Sequence, residues 1–132
     1  MRLLLDTHIF LWYITGDRRL SEAMQEDIRA ADNDVYLSVV SLWETIVKYK
    51  LGKLPLPEPP GKYLPLQRER HLIRSLPLDE ASVSQPGKLP DIHRDPFDRM
   101  LICQALAHEL TLMTVDDSVR AYPVPLWSEQ KT

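Results

Sequence analysis

The chain has 132 residues, 44% of them hydrophobic, and a formal net charge of −3, which suits one domain over residues 1–132 with a packed core of its own. Its longest unbroken apolar run, Ile9 to Ile14, falls well short of the ~20 residues that span a bilayer. The start lacks the basic-then-apolar layout of a signal peptide, so the expectation is a soluble cytoplasmic protein without membrane contact. A single cysteine, Cys103, excludes an internal disulfide and every multi-cysteine metal motif, and its apolar helical setting predicts a buried thiol.

In chain order, "RLLLD" reads as a strand and "THIFLWYITGD" as a short helix broken at Gly16 and Asp17. "SEAMQEDIRAADN" repeats Ala23, Ile28 and Ala31 at helical intervals, with Ser21 placed to cap. "DVYLS" is the next strand, and "SLWETIVKYKLG" is a helix that Gly52 stops. Four prolines between Leu54 and Pro60 predict a loop or extended connector. Beyond it the pattern predicts a helix near Tyr63 to Glu69, a strand in "HLIRSLPL" and a short helix from Asp79. A loop containing "GKLPDIHRD" leads to a helix from Pro96 to Glu109, then to a strand in "LTLMTVD", a turn of helix and a last edge strand in "VPLW". This alternation is that of an α/β domain with a mainly parallel central sheet.

Charge is unevenly spread. Lys48 to Arg74 holds seven bases (Lys48, Lys50, Lys53, Lys62, Arg68, Arg70, Arg74) against two acids, Glu58 and Glu69, leaving −8 for the rest. A basic segment on an otherwise acidic protein is compatible with an anionic polymer or with a solvated helical face.

The acids fall in a recurring place. Asp6 ends the first strand, Glu44 lies in the first turn after "VYLSVVS", Asp98 is in the first turn of the Pro96 helix, and Asp116 ends "LTLMTV". In an open parallel sheet these positions all lie at the C-terminal strand edge, where ligands gather. Capping accounts for part of this: "SLWE" has capping-box spacing, and "DPFD" places Asp95 at the N-cap and Pro96 at N1. Asp116 could cap the following turn. Capping leaves Asp6 unexplained, between two apolar runs. It also leaves the convergence of four carboxylates unexplained, since like charges at close range oppose one another's ionisation. A divalent cation such as Mg²⁺, which prefers oxygen ligands, removes the conflict.

"LLLDTH", "SLWE", "DPFDRMLICQA" and "LMTVDD", in this order, resemble the four acidic motifs of PIN-domain ribonucleases, and "HRDPFDR" particularly resembles the VapC-like toxins of bacterial toxin–antitoxin pairs. The resemblance runs from Leu3 to Asp116. It implies a single PIN-like α/β domain that hydrolyses RNA phosphodiester bonds with Mg²⁺ or Mn²⁺. It also implies Asp6, Glu44, Asp98 and Asp116 as the catalytic acids, with Asp6, Asp98 and Asp116 on the metal and Thr7 and Thr114 supporting them. The partners it implies are RNA and a cognate antitoxin, and the apolar stretches "IFLWYI" and "SLWETIVKYKL" suggest a homodimer. Trp12, Tyr13 and Trp43 are expected in the core or at an interface, and His8 as a hydrogen-bonded structural histidine. A haloacid-dehalogenase-type phosphatase would need a second acid where this chain has His8. A DNA-directed flap or exonuclease could use the same carboxylates. A non-catalytic binding module would be marked by loss of an acid, and all four acids are present.

Overall fold

A computed structural model describes residues 1–85 and 95–129. The first strand, β1 (Arg2–Leu5), is a run of leucines because both of its faces are covered: Leu3, Leu4 and Leu5 are all fully buried, as a central parallel strand requires. Around it the order is β3 (Arg74–Leu76), β2 (Asp34–Ser38), β1 and β4 (Thr111–Met113), and every pairing is parallel. The registers Leu3↔Val35 and Leu3↔Thr111 align the strand ends, so the C-terminal edges lie side by side.

Alternation along β1 feeds two cores. Leu3 and Leu5 pack with Val35 and Leu37, with Ile9 and Phe10 of α1 (Thr7–Thr15), Met24 and Ile28 of α2 (Glu22–Arg29), and Leu64 of α4 (Pro60–Arg70). Leu4 faces the other layer, with Ile102 and Ala105 of α6 (Pro96–His108) and Val119 of α7 (Asp117–Arg120). The remaining helices among the described residues are α3 (Val39–Lys50) and α5 (Glu80–Val83). Cys103 is buried as expected, and burial pushes its thiol pKa up. Among the described residues no helix is long and apolar enough to cross a membrane.

Three expected boundaries shift. Helix α3 begins at Val39, not at "SLWE": Ser38, extended at φ −71° and ψ 146°, accepts the Val40 amide and is the N-cap. Ser41 and Glu44 therefore lie inside the helix, and the capping box does not form. Helix α4 starts at Pro60, with Pro at N1, where its missing N–H costs nothing. In "VPLW" only one bridge forms, Leu112↔Leu126. Pro123 and Pro125 have no N–H to extend a ladder, so Leu112 donates to the Pro125 carbonyl and Trp127 donates back to Leu112. The expected loop ahead of Asp95 lies almost entirely outside the described residues.

Candidate active site

The strand order changes direction between β1 and β4, the place where open α/β sheets form a ligand crevice. There the Asp6 amide donates to the Met113 carbonyl at 2.9 Å, tying the two strand ends together. Asp6, Glu44, Asp95, Asp98 and Asp116 line one cavity of about 210 Å³, joined by His8, Trp12, Lys48 and Val115. All four expected acids are therefore brought together. Asp117, next in the chain, is exposed and does not line the cavity.

Each acid is fixed by its own element. Asp6 is the N-cap of α1, contrary to the expectation that capping could not account for it: the turn from strand to helix is immediate, and its Oδ1 accepts the Thr7 amide at 2.7 Å. Its Oδ2 accepts from the Thr114 hydroxyl at 2.6 Å, and Thr114 Oγ1 in turn accepts the Asp116 amide at 3.1 Å. One threonine thus links the acid after β1 to the acid after β4. Glu44 lies in the second turn of α3 and is only 2% exposed. The Thr7 hydroxyl donates to its Oε1 at 2.7 Å and shares a 2.8 Å hydrogen bond with Ser41 Oγ. Lys48, one turn further along α3, donates to Oε2. Asp95 caps α6, accepting the amides of Phe97 and Asp98 on a single oxygen, Oδ1, at 2.9 and 3.4 Å. Asp116 caps α7 through the Ser118 amide at 2.9 Å.

Burial sets the electrostatics. Asp6 and Asp98 are 7% and 9% exposed. Burial raises the Asp6 pKa above its ordinary 3.8; the bonds from Thr114 and Thr7 and the His8 imidazole pull it back, and Glu44 adds a smaller push upward. For Lys48 burial opposes the charge, yet the hydrogen bond from its ammonium to Glu44 and the charges of Glu44, Asp95 and Asp98 hold its pKa above the ordinary 10.5. Among the described residues that line the cavity, five carboxylates face one lysine and one histidine.

That donor set fits a hard divalent cation. Carboxylate oxygens of Glu44, Asp95 and Asp98 all lie within 4.8 Å of one another, and with no thiolate or histidine cluster among the described residues the chemistry suits Mg²⁺ or Mn²⁺ better than zinc. Asp95, expected as the N-cap with its part in the site left open, caps α6 and also joins this trio. Lys48 was read only as part of a basic segment, although its spacing of four from Glu44 was visible. His8 is exposed at the rim against Trp12, 6.1 Å between ring centroids, and is not a structural histidine of the interior. Trp43, 59% exposed, meets Phe97 edge-on at 4.9 Å. Tyr13 packs against the larger core.

Residues 3–124 match the family model of the PIN domain. The chain belongs to the PIN-domain family. It is 39% identical to ribonuclease VapC16 of Mycobacterium tuberculosis over 61 residues, 46% of this chain and 41% of that protein, so that match spans less than half of the relative. It is 26% identical to ribonuclease VapC22 of the same organism over 132 residues, covering 94% of this chain and 97% of that protein. The fold also matches two solved structures. VapBC2 from Rickettsia felis, bound to a DNA fragment from its promoter, aligns at TM-score 0.71 and 18% identity, over 97% of this chain and 98% of that one. VapBC-1 from nontypeable Haemophilus influenzae aligns at 0.66 and 19%, over 98% of each. The single PIN domain, with its four-stranded parallel sheet between helices, is the expected fold class.

Proposed function

We propose that this PIN-domain protein is a Mg²⁺- or Mn²⁺-dependent endoribonuclease and the toxin of a toxin–antitoxin pair. The observation that carries the reading is the convergence of Asp6, Glu44, Asp95, Asp98 and Asp116, from four separate stretches of chain, on one cavity at the sheet's C-terminal edge. The curated relatives are named ribonucleases, which favours RNA over the DNA-directed alternative. Several solved neighbours are VapBC structures, and one from Klebsiella pneumoniae is a toxin–antitoxin complex, which supports an antitoxin partner.

In this reading Asp6, Asp98 and Asp116 hold the ion, and Glu44 holds it or orients the attacking water, with Asp95 alongside. The bound ion supplies a water of lowered pKa and offsets charge on the scissile phosphate. Thr114 fixes Asp6 and Thr7 fixes Glu44, so neither carboxylate reorganises when substrate arrives. Trp12 at the rim offers a face on which a base can stack, and the bases of the Lys48 to Arg74 segment attract the backbone. We assign the protein to the cytoplasm as a homodimer, with the exposed Val39 and Trp43 of α3 at the subunit contact.

RNA and DNA of one sequence, each incubated with Mg²⁺, Mn²⁺ or chelator, test the reading. RNA alone should be cut, and only with the ion. Cleavage of DNA at an equal rate would transfer the protein to the DNA-directed class. Light scattering should give twice the chain mass; a monomer at micromolar concentration would remove the dimer.

A further inference from the structure

Both oxygens of the buried Glu44 carboxylate are already engaged. Oε1 accepts from Thr7, whose hydroxyl is itself buried and shared with Ser41. Oε2 accepts from Lys48, whose ammonium also feels Asp95 and Asp98, the two acids that complete the close trio with Glu44. An ion reaching this trio would meet the lysine's charge within a few ångströms, and two cations so close repel strongly in a partly buried site. The threonine cannot leave, being part of the first turn of α1. Lys48 can: its side chain is 32% exposed, and its stem is long and flexible.

Resting on the cation site proposed above, we propose that Lys48 is a tethered counter-ion: it occupies the acid cluster before the divalent ion binds, is displaced by that ion, and then faces the substrate phosphate from the cavity rim. Without it, the Glu44 carboxylate would be buried beside Asp95 and Asp98 and would lose the cation that its Oε2 accepts from, which opposes folding. With it, part of the negative charge of the apo site is offset, at the cost of competition with the ion. A released ammonium one turn from Glu44 is a compact donor suited to a phosphate oxygen.

Amine acetylation of the wild-type protein, read by peptide mass spectrometry with and without Mg²⁺, tests the displacement, and Mn²⁺ titration calorimetry tests the competition. The reactivity of Lys48 should rise on adding ion while that of the exposed Lys50 stays constant. Lys48→Met, which keeps the stem, should bind Mn²⁺ about tenfold more tightly, the scale of one charge removed at close range; Lys50→Met should bind it as wild type does. Ion binding by wild type with unchanged Lys48 reactivity overturns the displacement and leaves the metal site standing. No Mn²⁺ binding by wild type overturns both. If Lys48→Met fails to fold, the wild-type labelling still decides.

Discussion

At the N-terminal ends of the strands, charged side chains meet in the open. Arg74 pairs with Asp34 at 3.4 Å with the side chains 64% and 49% exposed, and Arg2 donates to the His108 carbonyl at 2.8 Å. At the C-terminal ends of the same strands, Asp6, Glu44 and Asp98 are buried and line one cavity with Lys48. Water screens the first set, so each pair matters little to stability and little to its neighbours. The second set is expensive to keep, and a fold retains such an arrangement where function requires it. The two edges thus separate what maintains the sheet from what the sheet is for.

The contrast can be broken most severely at Asp98. Asp98→Ala should lower RNA cleavage by ~10²-fold or more, the scale of a lost electrostatic contact at a reacting centre, while thermal melting changes little because Asp95, not Asp98, caps the helix. A well-folded variant with wild-type turnover would remove Asp98 from the site.

Asp6→Asn should abolish most activity, again by ~10²-fold, yet leave the ion-free protein as stable as wild type or more so. Asparagine keeps an acceptor for the Thr7 amide, and the Thr114 hydroxyl can turn to accept from the new NH₂. The pH dependence follows from the raised Asp6 pKa. Folding favours the protonated carboxyl, so this group's contribution to stability is present in acid and is lost as pH rises from 3.8 through the higher folded value. The melting advantage of Asp6→Asn over wild type should therefore grow with pH across that window in chelator and shrink when Mg²⁺ is added. A variant that simply unfolds at neutral pH would make Asp6 structural.

Asp95 sharpens the comparison because it serves both purposes. Asp95→Ala should cost about 0.5–2 kcal/mol of stability through the lost cap. Asp95→Asn keeps the Oδ1 acceptor and removes the charge, so its stability should stay near wild type while turnover falls by roughly tenfold, as one unit charge near the ion is lost. Unchanged turnover in Asp95→Asn would confine the residue to capping. Least is expected at the opposite edge: Arg74→Ala should change stability by less than about 1 kcal/mol and slow cleavage only slightly, through a weaker and salt-sensitive attraction for the RNA backbone.

How far these roles could be read from the chain depends on how local their causes are. The Asp95 cap was readable because Pro96 pushes its neighbour into extended backbone and the two residues decide the geometry together. The buried leucine run, the alternation of elements and the convergence of four acids were readable for the same reason, since periodicity and strand direction fix them. The start of α3 was not: Ser38 and Ser41 are both plausible caps, and the choice is made by Thr7, which is 34 positions from Ser41 and engages its hydroxyl inside the fold. Nor was the double duty of Asp95, because a sequence position has one residue while a carboxylate has two oxygens. The place of Lys48 was hidden by burial, which turns an ordinary helix pair into a half-buried positive charge against a buried acid.

The central claim is that the acids at the C-terminal edge hold a cation. Crystals grown or soaked with Mn²⁺ and measured at the manganese absorption edge test it without reference to substrate. The account predicts an anomalous peak inside the cavity, in contact with carboxylate oxygens of this acid set and absent from crystals of Asp98→Ala. A peak only elsewhere on the protein, or none at an ion concentration that supports RNA cleavage, would contradict it.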